Sequence, residues 1–314
     1  MVLAPSFAAD DLASGTRPFA PQSRSQEAEK RPAQPSRAEV SLPLLPLPSR
    51  FHLDGIPIDR LSLDDTVTWV IHALEHRGSR GPLLIMGPNA QLVTLAARQP
   101  RFAHALQSAS LSIPDGISVV LAARLLDQPV PERVTGGDLM ERLCIESARR
   151  NLSVFFLGGL PDAAEKTARK FERLYPGFRT AGVSCPPPGF ERDPVACARI
   201  RQQIADARPD LLCVAFGAPK QEIWMAENCL TLPIGAAISV GAALDTQSGL
   251  RKRAPKWTHR LGIEWLYRLV REPRRLWRRY LIGNTEFILL VARQWWRGSG
   301  LRQSKNIPSA GLNT

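Results

Sequence analysis

Five short, predominantly apolar runs, each bounded by Gly, Pro or Asp, constrain the fold of this 314-residue chain more than any other feature. They are Leu83–Met86, Leu111–Ile113, Ser153–Leu157, Leu211–Phe216 and Ile234–Val240. A strand with one wet face alternates apolar and polar residues, whereas a strand apolar throughout is covered on both faces. Helical patterns lie between and around the runs, at Thr66–His76, Ala90–Ala97, Gly116–Leu126, Leu139–Arg149, Asp162–Tyr175, Pro194–Ala207 and Lys220–Asn228. Ser62 followed by Asp65 predicts a capping box that opens the first helix. The alternation predicts a Rossmann-like α/β fold, a mostly parallel sheet with helices on both faces. Ligands in such folds bind at the carboxyl ends of the strands.

Charge divides the chain into unlike parts. Between Arg251 and Arg302 stand 14 Lys and Arg against three acids, a local excess of +11, while the overall net charge is +12. Outside that stretch the charges nearly cancel, so a neutral body carries a cationic tail that calls for an anionic partner. The tail holds five of the seven tryptophans, and Pro273 divides it into two helical patterns. Trp277, Leu281, Ile288, Val291 and Trp295 fall on one stripe of the second, with Arg274, Arg275, Arg278 and Arg279 at its start. Arginine with interfacial aromatics on an amphipathic helix describes a segment lying on an anionic membrane. The plainer alternative is a stripe packed on the body with a solvated basic face. Residues 1–48 contain eight prolines and no hydrophobic periodicity, and are expected to be disordered. The expected organisation is therefore 1–48 disordered, 49–250 α/β body, 251–298 basic membrane-associating helical appendage and 299–314 flexible tail. No run approaches the roughly 20 apolar residues that span a bilayer, and MVLAPSFAADD lacks the charged start of a signal peptide. Five cysteines with no CxxC pair argue against a disulfide framework or a structural zinc site.

The strand ends carry the candidate chemistry. Gly87-Pro88-Asn89, Pro114-Asp115-Gly116, Gly158-Gly159 and Gly217-Ala218-Pro219-Lys220-Gln221-Glu222 each follow an apolar run and open a helix. Taken together they place Asn89, Asp115, the Gly158 and Gly159 amides, and Lys220 with Gln221 along one sheet edge. Glycine amides at a helix start suit a diphosphate, although a two-glycine turn is more often only a turn. Asp115, fixed between Pro114 and Gly116, is placed to accept a hydroxyl proton. On local sequence alone, capping of the next helix is the simpler account of it. Neither a Walker loop nor a GxGxxG fingerprint occurs, which argues against ATP hydrolysis and nicotinamide-dependent oxidation. No DxD-type pair stands near Asp115, so no metal is expected.

Eight blocks in register carry a family resemblance: GPNAQ from Gly87, PDG from Pro114, RVTG from Arg133, FLGG from Phe156, FGAPKQE from Phe216, SVGAALD from Ser239, RAPKW from Arg253 and GIEWLYRL from Gly262. Over roughly Phe51 to Trp296 the chain resembles the WecG/TagA/CpsF glycosyltransferases, glycosyltransferase family 26. That resemblance implies metal-independent, inverting transfer from a UDP-sugar, with no cofactor, to a polyprenyl-diphosphate-linked saccharide at the cytoplasmic membrane face. It implies that Asp115 is the base, that Asn89, Arg133 and Gln221 line the substrate pocket, and that arginines of the basic appendage close over the site. Spacing nominates Arg268, Arg275 and Arg278 for the last role. Many family members carry Thr where this chain has Gly87, so a hydroxyl contact is absent here.

Both lines lead to one mechanism, in which Asp115 activates an acceptor hydroxyl and fixed dipoles and cations stabilise the departing UDP. The Gly158 and Gly159 amides, Lys220 and the tail arginines are expected to share that second task. The expected setting is peripheral attachment to the inner face of the cell membrane, in exopolysaccharide or other surface-glycan synthesis. The alternative is a nucleotide-binding module with a basic tail and no transferase activity. No recognised nucleic-acid motif accompanies the arginines, so nucleic acid is not expected as a partner. The donor sugar, the acceptor glycan and whether the chain forms a homo-oligomer are left open.

Overall fold

The computed structural model describes residues 48–77, 81–252 and 283–297. A six-stranded parallel sheet organises them. It comprises β3 (Leu83–Met86), β4 (Leu111–Ser112), β5 (Ser153–Gly158), β6 (Arg179–Ser184), β7 (Leu211–Ala215) and β8 (Ala236–Ser239), in the order β4-β3-β8-β7-β5-β6. Successive side chains of a strand point to opposite faces, which explains why the runs are apolar throughout. Ile85, Val154, Phe156, Leu211, Cys213 and Ile238 pack on one face, under α1 (Leu63–Glu75), α5 (Gly136–Arg149) and α6 (Ala163–Leu174). Leu84, Met86, Phe155, Leu157, Leu212 and Val214 pack on the other, under α2 (Ala90–Ala96), α3 (Pro100–Gln107), α7 (Pro194–Ala207) and α8 (Lys220–Asn228). Helices α4 (Ile117–Leu125) and α9 (Ala243–Gln247) complete the body. The expected Rossmann-like α/β architecture is the one present.

Ser62 caps α1 as the sequence predicts, with the return bond of the box made to its hydroxyl. Its hydroxyl accepts from the Asp65 amide at 3.1 Å and donates to the Asp65 carboxylate at 2.6 Å. All five cysteines are free thiols.

The sequence pattern gave no account of the opening hairpin, β1 (Arg50–Leu53) and β2 (Ile56–Asp59). Asp54 and Gly55 both have positive φ, 49° and 80°, as a two-residue type I′ turn requires. The hairpin shields the β4 edge: the buried carboxylate of Asp59 accepts from Arg50 at 2.7 and 2.8 Å and from the Ser112 amide at 2.7 Å. A third cluster, of Phe51, Leu53, Ile58, Val93, Val119 and Val120, also takes in Phe287 and Val291 of the helical segment 283–297. Gln294 fastens that segment to the hairpin, donating to His52 O at 2.7 Å and accepting from the Asp54 amide at 2.9 Å.

Of the stripe expected in the tail, the described members are thus not equivalent. Val291 faces the body, while Ile288 and Trp295 are exposed. At 100° per residue the exposed Ile288, Leu289, Trp295 and Trp296 form one contiguous arc beside the docked one. Trp277, Leu281 and the arginines at 274–279 lie outside the described residues, as do the expected segments at 1–47 and 299–314 and most of the appendage.

Candidate active site

Because β3, β4, β5, β7 and β8 run parallel, the turns that follow them share one edge of the sheet. Backbone hydrogen bonds lace two of these turns to the chain entering α5. The Ile113 amide donates to Met86 O at 2.9 Å, Asp115 to Pro88 O at 3.3 Å, and Val134 to Pro114 O at 3.1 Å. Asp115, partly exposed, is therefore held between the β3 turn and the segment bearing the half-buried Arg133. Two glycines permit the approach. A Cβ on Gly87 would lie 3.1 Å from the Asp115 Cβ, and one on Gly116, at φ 125°, would lie 3.4 Å from the Asn89 Cβ.

The N-cap position of α4 is held by Gly116, one residue beyond Asp115. By contrast Asn89 does cap its helix, accepting through Oδ1 from the Gln91 and Leu92 amides at 3.1 Å each. What Asn89 offers a ligand is its amide nitrogen. Helices α4 and α8 carry no side-chain cap, so their first-turn amides and positive dipole ends add to the potential at this edge.

The Gly158–Gly159 turn, expected to seat a diphosphate, lies at the far end of this edge from Asp115. In the sheet order β4 and β5 stand four strand spacings apart, about 19 Å at 4.8 Å per strand. The Gly159 amide already donates to Ala215 O at 2.9 Å, and the Leu160 amide to Asp245 Oδ1 at 2.8 Å. The buried Asp245 carboxylate beside the turn would also repel a diphosphate. The glycines have a steric reason to be there, since a Cβ on Gly158 would lie 2.7 Å from Ala215 O. Lys220 too is engaged, in an ion pair with Glu191 at 2.7 Å that pulls the Glu191 carboxyl below its ordinary range. Its charge is correspondingly offset.

Between these ends lies Gln221. Its carbonyl oxygen accepts from the amides of Gly217 and Gly241, each at 3.2 Å, and so ties the turns after β7 and β8 together. Its nitrogen donates to Glu222 Oε1 at 2.7 Å. Glu222, which the sequence did not single out, is completely buried. Burial pushes its carboxyl up to about 7, against the opposing hydrogen bond from Gln221. Asp245 was missed as well, although both acids belong to recognised blocks. The signal was an acid in the first turn of a helix leaving the sheet edge. Arg268, Arg275 and Arg278 lie outside the described residues. Among the described residues no group of three or more His, Cys, Asp and Glu is placed to hold a metal ion.

Two outcomes follow from this geometry. Gly87→Ala forces Asp115 or Ile113 to give by a few tenths of an ångström, and a misplaced catalytic group loses up to about 100-fold in rate. Wild-type kcat in that variant would show that the spacing at Gly87 does not matter. For Glu222 the folded protein holds its proton up to about 7, whereas the ordinary value is 4.5. Between those values the folded state binds more protons than the unfolded one, so this residue erodes stability as pH rises. Urea unfolding of Glu222→Gln should gain about 2–3 kcal/mol over wild type between pH 5 and pH 8. A pH-independent difference would contradict the burial cost assigned to this carboxyl.

The model of the glycosyl transferase WecG/TagA/CpsF family matches residues 51–300. The N-acetylglucosaminyldiphosphoundecaprenol N-acetyl-beta-D-mannosaminyltransferase of Bacillus spizizenii (strain ATCC 23059 / NRRL B-14472 / W23) is 32% identical over 228 residues, which cover 72% of this chain and 86% of that protein. The protein of the same name from Bacillus subtilis (strain 168) is 33% identical over 193 residues, covering 62% and 73%. The matched region takes in the whole sheet and all of its loaded edge, and the chain belongs to the WecG/TagA/CpsF family of glycosyltransferases.

Proposed function

We propose that this glycosyltransferase moves a hexose or N-acetylhexosamine, with inversion and without a metal, from a UDP-sugar to a polyprenyl-diphosphate-linked saccharide. The observation that carries the reading is Asp115, laced by backbone hydrogen bonds between two turns at the carboxyl edge. Asp115 takes the proton of the acceptor hydroxyl as that oxygen bonds to the anomeric carbon. The bond from that carbon to the diphosphate oxygen breaks, and its electron pair leaves on UDP. Uncapped helix starts and the arginines nominated in the tail stabilise the leaving charge. The donor lies along the strand ends, with its reacting end by Asp115 and Asn89 and its uncharged, hydrogen-bonding nucleoside end towards Gly159 and Asp245. The acceptor is supported by the two Bacillus relatives, whose names specify an undecaprenol-diphosphate-linked N-acetylglucosamine.

A lipid-linked acceptor has to be met at a membrane surface. Among the described residues no helix is long and apolar enough to cross a bilayer. Segment 283–297 instead turns Ile288, Leu289, Trp295 and Trp296 outward, with the exposed Arg293 and Arg297 on its polar side. Such an arc suits shallow insertion beside anionic headgroups. We place the enzyme on the inner face of the cell membrane, in exopolysaccharide or other surface-glycan synthesis.

Asp115→Asn should retain UDP binding and lose about 100- to 10,000-fold in kcat, read as transfer of radiolabelled sugar from a panel of UDP-sugars to a lipid-diphosphate N-acetylglucosamine. Equal transfer by both proteins removes Asp115 from the chemistry. Leu289→Ser with Trp296→Ser alters exposed side chains only. Each large apolar side chain contributes about 1.5–3 kcal/mol when buried, so sedimentation with phosphatidylglycerol vesicles should weaken at least about tenfold. Unchanged sedimentation would move the lipid contact elsewhere.

A further inference from the structure

Two consecutive polar side chains at the start of α8 are withdrawn from water: Gln221 is 5% exposed and Glu222 0%. A carboxamide has two acceptor lone pairs and two donor hydrogens. Both lone pairs of Gln221 are used, on the amides of Gly217 and Gly241, and one hydrogen is used on Glu222 Oε1. One hydrogen remains for an acceptor outside the pair. Turned over, the same carboxamide would bring its NH2 against two backbone N–H groups. Only one sense is therefore tolerated, and in that sense Glu222 accepts from the nitrogen side.

Glu222 itself gains little in return. Its Oε2 is buried with no hydrogen-bond partner among the described residues. A methionine or leucine would fill that space without burying an ionisable group. The acid is there at a cost to the fold, and the side-chain hydrogen bond it makes is the one it accepts from Gln221.

We infer that Glu222 is a positioning residue of the active site: by accepting from Gln221 it fixes the carboxamide that joins the β7 and β8 turns and leaves one Gln221 N–H facing the nucleoside diphosphate of the donor. The inference rests on the reading of this edge as the UDP-sugar site. Gly217 and Gly241 have positive φ, 74° and 54°, and nothing lies within 4 Å of a Cβ built on either. The strand ends themselves are joined by the Val240 amide donating to Val214 O at 2.9 Å, and beyond that bond the Gln221 carboxamide bridges the two glycines. Without the Glu222 acceptor the carboxamide is held through its oxygen alone, and its nitrogen is no longer fixed in place.

The test measures UDP binding to the full-length protein by titration calorimetry, together with thermal melting. The variants are Gln221→Ala, Glu222→Met, Glu222→Gln and the double change Gln221→Ala with Glu222→Met. Gln221→Ala is expected to weaken UDP binding about tenfold or more. Glu222→Met, which keeps the volume and removes the acceptor, should weaken it to a similar degree while melting no lower than wild type. Glu222→Gln retains an acceptor and should stay within about threefold of wild type. Because one residue acts through the other, the double variant should bind no worse than Gln221→Ala. UDP affinity within twofold of wild type in Glu222→Met, or losses that multiply in the double variant, would overturn the inference. If Gln221→Ala also binds UDP like wild type, the nucleotide-site reading of this edge falls with it.

Discussion

Parallel pairing of fully buried strands is the constraint from which the rest of this molecule follows. A parallel ladder sends every strand out at the same edge, and each exit must turn into a helix on one face or the other. In this chain the exits of β4, β3, β8, β7 and β5 bring Asp115, Asn89, Gly241, Gly217 and Gly158 into one row. The members of that row share one edge although Asn89 and Gly241 are 152 positions apart in sequence (241 − 89). The sheet needs no polar group of its own to do this. Its two apolar faces fix the register, and the edge is free to carry chemistry.

Close approach at that edge is controlled by glycine rather than by polar contacts. Gly87 and Gly116 remove the atoms that would hold Asp115 and Asn89 apart, and Gly158 removes one that would strike Ala215. Gln221 then fastens the two turns whose own glycines have open space around them. This division explains the buried acid at 222. An apolar residue there would stabilise the body and leave the carboxamide nitrogen without its acceptor, so stability and order at the site are opposed at a single position.

Much of this was legible in the sequence because it is written in residues with few conformational choices. Apolar runs between Gly, Pro and Asp located five of the six sheet strands, and all seven helical patterns correspond to helices. Strand β6, RTAGVS, escaped because an edge strand with only partly buried residues lacks the apolar run. The hairpin escaped although Asp54-Gly55 between alternating apolar residues is a strong turn signal. The site was legible as a set of blocks, not as geometry. Local pattern could not reveal that Gly116 rather than Asp115 stands at the N-cap of α4, nor that four strand spacings separate the β4 and β5 ends. Hydrogen-bond partners that are distant in sequence, such as Ala215 with Gly159, decide whether a glycine amide is available, and no local signal reports them.

The tail resolves in a similar way. Sequence offered two readings of its apolar stripe, packed on the body or laid on lipid, and the described helix has a side for each. Phe287 and Val291 enter the cluster that α2 shares with the hairpin and α4, while Ile288, Leu289, Trp295 and Trp296 remain outside. Helix α2 makes the connection consequential. It begins at the cap residue Asn89, beside Asp115, and Arg98 just beyond its end is paired with Glu286 of the tail. Thr94 bonds Gly283 O from the same helix at 3.4 Å. Seven residues of helix thus separate the candidate catalytic edge from the segment proposed to meet the membrane. A shift of that segment would act first on the α2 end bearing Thr94 and Arg98, through contacts already formed.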